Sequence, residues 1–268
     1  MTNINQPTQQ HPGQLNYQQL GEGKHIVLIH GLFGSLENLN MVAKNLSLHY
    51  CVTSIDVRNH GNSFHQQNMD YQVLAQDVIN LLDKLSIENC HILGHSMGGK
   101  IAMKIALLFP ERLNKLIVAD IAPVKYPAHH LTIIEGLKAI DLTQVHKRTD
   151  ADTQLSKYVT DSNVRPFLLR NLALNEQREF QFKCNLHYIE QGYQQIMQSI
   201  NGQTGQQFNG DTLFIKGGNS DYILPEHQSV IALLFPKAKA KIIQGAGHWL
   251  HAEKTVAFNK IVIDFLKN

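Results

Sequence analysis

Residues 90–110 of the chain read CHILGHSMGGKIAMKIALLFP. The first part, Cys90–Gly94, is a short apolar run typical of a buried strand, and Met97–Phe109 has the apolar spacing of a helix. A G-x-S-x-G motif joins the two. Glycines on both sides of a serine permit a strained backbone next to a close helix, because they carry no Cβ atom. The stretch therefore predicts that Ser96 lies at a sharp strand-to-helix turn.

Short apolar, β-branched runs recur along the chain and alternate with helical patterns. Runs without a polar face are typical of strands buried on both faces of a parallel sheet. The predicted strands are an initial edge strand at Leu15–Leu20, followed by His25–Ile29, Tyr50–Val57, Cys90–Gly94, Lys115–Asp120, Thr212–Lys216 and Ala240–Gln244. The other predicted helices are Tyr71–Leu85, Pro225–Leu234 and Thr255–Leu266. The alternation predicts an α/β fold, with a mostly parallel twisted sheet and helices on both faces.

Residues 124–209 interrupt this alternation. They contain amphipathic stretches but no clear strand pattern, at Leu131–Ile140, Val164–Leu174 and Phe180–Ile196. We interpret the segment 124–209 as a helical cap over the carboxyl ends of the strands, where α/β proteins bind ligands. The core is then formed by residues 14–123 and 210–268. Residues 1–13 are polar and rich in Gln, Asn and Pro, and we expect them to form a mobile tail.

The composition is that of a globular protein. Of the 268 residues, 43% are hydrophobic and 17% are charged, and the formal net charge is +2. So small a charge, without a long lysine or arginine run, argues against a nucleic-acid partner. No apolar run approaches the ~18 residues that cross a bilayer, and the first residues lack the pattern of a signal peptide. We therefore expect a cytoplasmic protein without a membrane partner.

Cysteine and histidine usage indicates neither disulfides nor a metal site. The three cysteines, Cys51, Cys90 and Cys184, are odd in number and far apart, which is typical of a reducing compartment. The 15 histidines are scattered, and neither H-E-x-x-H nor paired C-x-x-C spacing occurs. We expect the chain to use no metal and no cofactor.

A serine hydroxyl needs a general base to become a good nucleophile. The candidate base is His248, in the run GAGH after the last predicted strand. The glycines before it permit a tight loop that brings the imidazole inward. His251, three residues later, is the nearby alternative.

Acyl transfer also needs backbone N–H donors for the developing oxyanion. One predicted donor is the amide of Met97, directly after the serine and at a helix N-terminus, whose partial positive charge favours an anion. The second is the amide of Leu32, in the loop HGLFG after the strand IVLI. His30 and His95 adjoin these loops and are better placed to shape the pocket than to act as the base.

Two aspartates compete for the acid that orients the histidine. Asp120 ends the run KLIVAD, where its carboxylate can face His248, although it can also cap the turn before the following Ala-Pro. Asp221 follows a later strand, but G-x-x-D spacing from Gly217 lands on Ser220 instead. We predict Asp120 as the acid with Ser220 as an auxiliary hydrogen-bonding residue, and retain Asp221 as the alternative.

Two further polar features are interpreted as structural. The run DVRNHGNS at residues 56–63 brings an Asp, a His and a Ser together. We expect it to form a hydrogen-bonded loop in which Asp56 anchors Arg58 or the backbone. Lys100, one turn into the helix after the serine, is expected to pair with an acidic neighbour and is assigned no chemistry.

Six spaced motifs now identify a resemblance: HGLFGS, DVRNHGNS, GHSMGGK-x-AM, DIAPV-x-Y, FIKGGNS-x-YI and GAGHWLHAEK. Together they resemble the small bacterial esterases of the YbfF type and their mitochondrial abhydrolase-domain relatives, from about residue 24 to the end. The resemblance implies an α/β-hydrolase fold with a small helical cap. It also implies an acid at the position of Asp120 and a hydrogen-bonding role for Ser220. Two departures are the glutamine-rich cap sequence at residues 191–207 and the second acid, Asp221.

The functional hypothesis is a serine esterase or thioesterase that hydrolyses small acyl esters through an acyl-enzyme. The family prefers short acyl chains, but its cap residues shape the acyl pocket, so the departing cap sequence means that this preference does not carry over. One alternative is a carbon–carbon bond hydrolase of the same fold, and the other is a ligand-binding homologue without turnover. The expected partner is a small acyl ester or thioester, and the sequence gives no oligomeric state.

Overall fold

One seven-stranded sheet forms the centre of the protein in the computed structural model, which describes residues 13–201 and 205–268. The strands of the described residues are β1 (Tyr17–Leu20), β2 (His25–Ile29), β3 (Cys51–Ile55), β4 (Cys90–His95), β5 (Leu113–Ala119), β6 (Leu172–Leu174), β7 (Phe180–Phe182), β8 (Asp211–Gly217) and β9 (Ala238–Ile243). The order in the main sheet is β1-β3-β2-β4-β5-β8-β9, and β6 pairs with β7 separately.

The directions of the strands place the carboxyl ends of six strands at one edge. Strand β1 runs antiparallel to β3, and the pairs from β3 through β2, β4, β5 and β8 to β9 are parallel. The α/β-hydrolase fold and the mostly parallel sheet expected from the sequence are confirmed. The predicted edge strand is also present, as the four-residue β1.

Helices cover both faces of the sheet. The α-helices of the described residues are α1 (Asn40–Leu46), α2 (Tyr71–Lys84), α3 (Met97–Leu108), α4 (Leu131–Lys138), α5 (Arg148–Leu155), α6 (Val164–Leu168), α7 (Leu186–Gln191), α8 (Tyr193–Met197), α9 (Gln228–Leu234), α10 (Leu250–Glu253) and α11 (Thr255–Lys267). In β2, Val27 and Ile29 pack into the core that contains α2 and α3. Ile26 and Leu28 pack into the core that contains α1 and α11. From Ile26 to Ile29 the strand is apolar on both faces because both faces are buried.

The segment between β5 and β8 differs from its prediction. It contains α4 to α8, but it also contains the antiparallel hairpin β6–β7, where no strand was expected. The hairpin joins only three residue pairs, so its alternation is too short to stand out from the amphipathic pattern around it. Its turn places Arg178 at φ 65°, where the sequence carries no glycine to mark it.

The predicted polar tail, residues 1–13, lies outside the described residues apart from Gly13. Within the described ranges, no helix combines the length and apolar character that a membrane crossing requires. Cys51, Cys90 and Cys184 are all free thiols. Burial raises the pKa of the Cys90 and Cys184 thiols to about 12, so these two side chains act as small apolar groups.

Helix α3 begins one residue after β4. Two glycines allow its first turn to lie very close to the backbone of the sheet. A Cβ atom on Gly94 would lie 2.1 Å from the backbone oxygen of Gly98. A Cβ atom on Gly98 would lie 2.2 Å from the backbone oxygen of Ile29. The motif glycines are therefore required by backbone contact, as the sequence predicts for this turn.

We expect Gly98→Ala to lower the free energy of unfolding by more than about 3 kcal/mol, because the new methyl group meets main chain. The matched control is Gly99→Ala, whose methyl group would lie closest to the Ile121 side chain, at 2.6 Å. Side chains move more easily than a sheet, so this variant should lose about 1–2 kcal/mol. Urea denaturation of both variants measures the difference, and equal losses would contradict the backbone explanation.

Candidate active site

Ser96 lies at the turn between β4 and α3 with a strained backbone. Its φ and ψ are 54° and −121°, a conformation that costs a non-glycine residue about 1–3 kcal/mol. The backbone N–H of Ser96 donates to the carbonyl of Ala119 over 2.9 Å, so the neighbouring strand β5 supports the turn. The half-buried side chain stands at the carboxyl edge of the sheet.

His248 lies in the loop after β9 and faces the serine. Its Nε2 is 3.0 Å from Ser96 Oγ, and its Nδ1 is 2.8 Å from Asp120 Oδ2. Gly245, at φ 69°, makes the turn that starts this loop. Three side chains that the sequence predicts for the site therefore form one continuous hydrogen-bonded series.

Asp120 is fully buried at the end of β5 and is hydrogen-bonded at both oxygens. Oδ1 accepts from the backbone N–H of Gly217 over 2.9 Å. Oδ2 accepts from the hydroxyl of Ser220 as well as from His248. Asp221, the alternative acid, is exposed, and the carboxylate that the structure brings to the histidine is that of Asp120.

The two predicted oxyanion donors lie beside the serine. Leu32, Ser96 and Met97 line the same small cavity. Met97 is the first residue of α3, so its N–H has no intrahelical acceptor. In the loop after β2, which carries Leu32, the N–H of Phe33 donates to His60 Nε2 over 3.2 Å. The amide of Leu32, one residue earlier, is the predicted second donor.

Histidines around the site are buried and support backbone rather than proton transfer. His30 Nε2 accepts from the N–H of Val57 over 3.0 Å, and burial lowers its pKa to about 4. His95 Nε2 donates to the carbonyl of His248 over 2.8 Å, and burial lowers its pKa well below the usual value. Both residues thus shape the site, in agreement with the sequence interpretation.

His251, the alternative base, lies behind His95. The two ring centroids are 4.5 Å apart, and burial lowers the pKa of His251 to about 3. Among the described residues its Nδ1 has no hydrogen-bond partner. The structure therefore places His248, and not His251, at the serine.

In the loop at residues 56–63, Asp56 anchors the backbone, which is one of the two alternatives predicted for it. Asp56 accepts hydrogen bonds from the backbone N–H groups of Leu36 and Asn62, at 2.7 and 2.9 Å. Arg58 does not pair with Asp56 but with Asp77 on α2, at 2.6 Å. Only the tertiary fold brings α2 to this loop, so the sequence does not identify Asp77 as the partner of Arg58.

The expected acidic partner of Lys100 is also wrong. Its buried ammonium group donates to the backbone carbonyls of Gln198 and Met197, at 2.6 and 3.4 Å. It also lies 4.8 Å from the ring centroid of Tyr126. Among the described residues no carboxylate contacts it, and burial lowers its pKa to about 7. Lys100 thus joins α3 to the end of α8 and lines the cavity at the serine.

The cavity at Ser96 is small, at about 20 Å³, which is room for about one water molecule. Sequence reasoning missed several of its polar neighbours, namely Tyr126, His129, His130 and Tyr222. The only local signal was the tyrosine in each of the motifs DIAPV-x-Y and FIKGGNS-x-YI. The other two residues come from a segment without a recognisable pattern.

A fold of this type, with a serine, a histidine and an aspartate at the carboxyl edge of its sheet, defines the class of α/β hydrolases. The family model of the α/β hydrolase fold matches residues 24–255. The chain therefore belongs to the α/β-hydrolase family, and the family resemblance seen in the sequence is confirmed.

Comparison with known proteins indicates which type of α/β hydrolase this chain is. The chain is 34% identical over 244 residues to esterase YbfF of Escherichia coli, covering 91% of this chain and 93% of that protein. It is 39% identical over 249 residues to the sn-1-specific diacylglycerol lipase ABHD11 of Mus musculus, covering 90% and 80%. A solved structure of a marine microorganism esterase has a TM-score of 0.90 at 38% identity, covering 94% and 99%. The chain is a carboxylic ester hydrolase that acts on small-molecule esters.

Lys100 predicts a characteristic pH dependence of stability. Its pKa is about 7 in the folded chain against about 10.4 for an exposed lysine. Between these values the unfolded chain binds the extra proton, so stability rises as the pH increases from 7 towards 10. Relative to Lys100→Met, the wild type should gain up to about 1.4 kcal/mol per pH unit. Urea denaturation at pH 7, 8 and 9 measures this gain, and a constant difference between the two proteins would contradict it.

Proposed function

We propose that the chain is a serine esterase in which Ser96 is the nucleophile, His248 the general base and Asp120 the acid that orients the base. The observation that carries the proposal is the series of contacts from Ser96 Oγ to His248 Nε2, at 3.0 Å, and from His248 Nδ1 to Asp120 Oδ2, at 2.8 Å. Hydrogen-bonded in this order, the imidazole can take the hydroxyl proton while its other nitrogen remains held.

In the first half of the reaction, Ser96 Oγ attacks the acyl carbonyl and its proton passes to His248 Nε2. The carbonyl electrons move to the oxygen, and the oxyanion is held by the N–H groups of Leu32 and Met97. The tetrahedral intermediate then collapses, the bond to the leaving oxygen or sulfur breaks, and His248 donates its proton to that atom. Water repeats the sequence on the acyl-enzyme and releases the carboxylic acid.

The carboxylate of Asp120 fixes the tautomer of His248 by accepting from Nδ1–H, and it stabilises the imidazolium that forms. Ser220 and the amide of Gly217 occupy the remaining acceptor positions of this carboxylate. They prevent it from turning away from the histidine. Ser220 therefore acts on the reaction through Asp120.

The segment 124–209 supplies a cap over this site in our proposal. Asn171 within it donates to the carbonyl of Phe33 over 2.6 Å, and Tyr71 on α2 donates to the carbonyl of Ile196 over 2.7 Å. The substrates proposed are small acyl esters and thioesters, with no metal or cofactor in the reaction. Location in the cytoplasm stays a prediction.

Replacing Ser96 by alanine should abolish hydrolysis of p-nitrophenyl acetate and butyrate, because the acyl group has no atom to bond. A series of acyl esters and acyl-CoA thioesters of rising chain length, assayed with wild type and Ser96→Ala, measures both turnover and chain preference. Unaltered circular dichroism would establish that the variant is folded. Turnover by Ser96→Ala at the wild-type rate would defeat the proposal.

Asp120→Asn should lower kcat by a factor on the order of 10⁴, since an amide can hold the imidazole in the wrong tautomer. The matched control is Asp221→Asn, the same change on an exposed side chain next to Ser220 in the loop after β8. It should retain nearly full activity. Steady-state kinetics on one ester would decide between the two acids, and a larger loss in Asp221→Asn would reject Asp120.

A further inference from the structure

Tyr222 lies flat against the imidazole of His248. The two ring centroids are 3.9 Å apart and the ring planes differ by 20°. Tyr222 follows β8 two residues after Ser220, and its N–H donates to the Ser220 hydroxyl over 3.3 Å. One short loop therefore supplies both the hydroxyl that holds Asp120 and the ring that covers His248.

The hydrogen bonds of His248 leave one motion of the imidazole free. Both lie in the plane of the ring, at Nδ1 and Nε2, so the ring can still tilt about the line between the two nitrogens. A tilt turns the Nε2 lone pair away from Ser96 Oγ, and hydrogen bonds weaken as they depart from linearity. The stacked ring of Tyr222 blocks this tilt on one side. His95, with its centroid at 4.8 Å, lies against the imidazole as well.

The hydroxyl of Tyr222 is held by two histidines from the segment after β5. His129 Nε2 lies 2.9 Å from it, and His130 Nε2 lies 3.3 Å from it. Burial lowers the pKa of His130 to about 3, so this ring is neutral near pH 7. The tyrosine hydroxyl bonds to both rings by donating its proton to one histidine and accepting from the other.

The backbone of Tyr222 is held from the same segment. The hydroxyl of Tyr126 donates to the Tyr222 carbonyl and accepts from the N–H of Ala122 over 2.9 Å. Tyr222 is thus fixed at its hydroxyl, at its carbonyl and at its amide. Contacts to the backbone on both sides of the side chain and to its hydroxyl make the ring a rigid support for the imidazole that it covers.

We propose that Tyr222 is a positioning residue, which holds the His248 ring in the orientation for proton transfer and couples that orientation to the segment carrying His129 and His130. This inference rests on the proposed function, because it assigns a support to the proposed base. It makes the orientation of the proposed base depend on residues other than Ser96, His248 and Asp120.

The test compares Tyr222→Leu, which removes the stacked ring, with Tyr222→Phe, which keeps the ring and removes the hydroxyl. Aromatic pairs contribute energies that correspond to about 2- to 10-fold in rate. We expect Tyr222→Leu to lower kcat about 10-fold with little change in KM, and Tyr222→Phe to lower it about 2-fold. The rate of covalent labelling by a fluorophosphonate should fall in parallel, since labelling uses the same serine and base.

The control is Tyr158→Leu, the same change at a side chain that is 41% exposed and outside the contacts of His248. It should keep the wild-type kcat. Proton NMR gives a second readout, because the His248 Nδ1–H signal at low field should broaden in Tyr222→Leu and stay sharp in Tyr222→Phe. Thermal melting identifies any variant that does not fold.

Wild-type kcat and labelling in Tyr222→Leu would overturn the inference, as would a change confined to KM, which would make Tyr222 a substrate contact. If Tyr222→Leu does not fold, the test rests on Tyr222→Phe, which keeps the stacked ring. A 10-fold loss of kcat in folded Tyr222→Phe would then overturn the inference. These outcomes leave the proposed function intact. A wild-type chain that is neither labelled at Ser96 nor active on esters would reject both.

Discussion

The buried carboxylate of Asp120 is the contact on which the rest of the site depends. It accepts hydrogen bonds from the N–H of Gly217 at the end of β8, from the Ser220 hydroxyl in the loop after β8 and from the His248 imidazole in the loop after β9. A buried carboxylate that loses its partners costs several kcal/mol. Both loops must therefore fold correctly before the charge of Asp120 has its hydrogen-bond partners. The contacts that stabilise this buried charge are the same ones that the proposed reaction needs.

The main sheet supports the strained residues of the site directly. Ser96 and Asp120 have φ values of 54° and 53°, and each is the first residue beyond its strand. Their N–H groups nevertheless continue the hydrogen bonding between neighbouring strands. They donate to the carbonyls of Ala119 and Ile215 at 2.9 and 2.8 Å, respectively. Two adjacent strand ends thus hold the hydroxyl and the carboxylate at fixed positions, and the loop after β9 supplies the imidazole between them.

The sequence predicts those parts of the structure that depend on local pattern. The buried strands were predicted because both of their faces are apolar, and the Ser96 turn because glycines mark it. The partners of Arg58 and Lys100 were missed, since α2 and the end of α8 reach them only in the folded chain. The stacking of Tyr222 on His248 was missed for the same reason. The hairpin β6–β7 was missed because three residues per strand are too few to show a period.

The buried, neutral histidines near the site also limit the pH range in which the folded protein is stable. Burial holds the pKa of His30 at about 4 and those of His60 and His251 at about 3, whereas the unfolded chain takes up these protons near pH 6.5. Each such group removes about 1.4 kcal/mol of stability per pH unit as the solution is acidified below that point. Three together remove roughly 4 kcal/mol per unit, against a total stability of about 5–15 kcal/mol for a typical domain. Entry into an acidified vesicle would therefore lower the stability of the folded enzyme through these buried imidazoles.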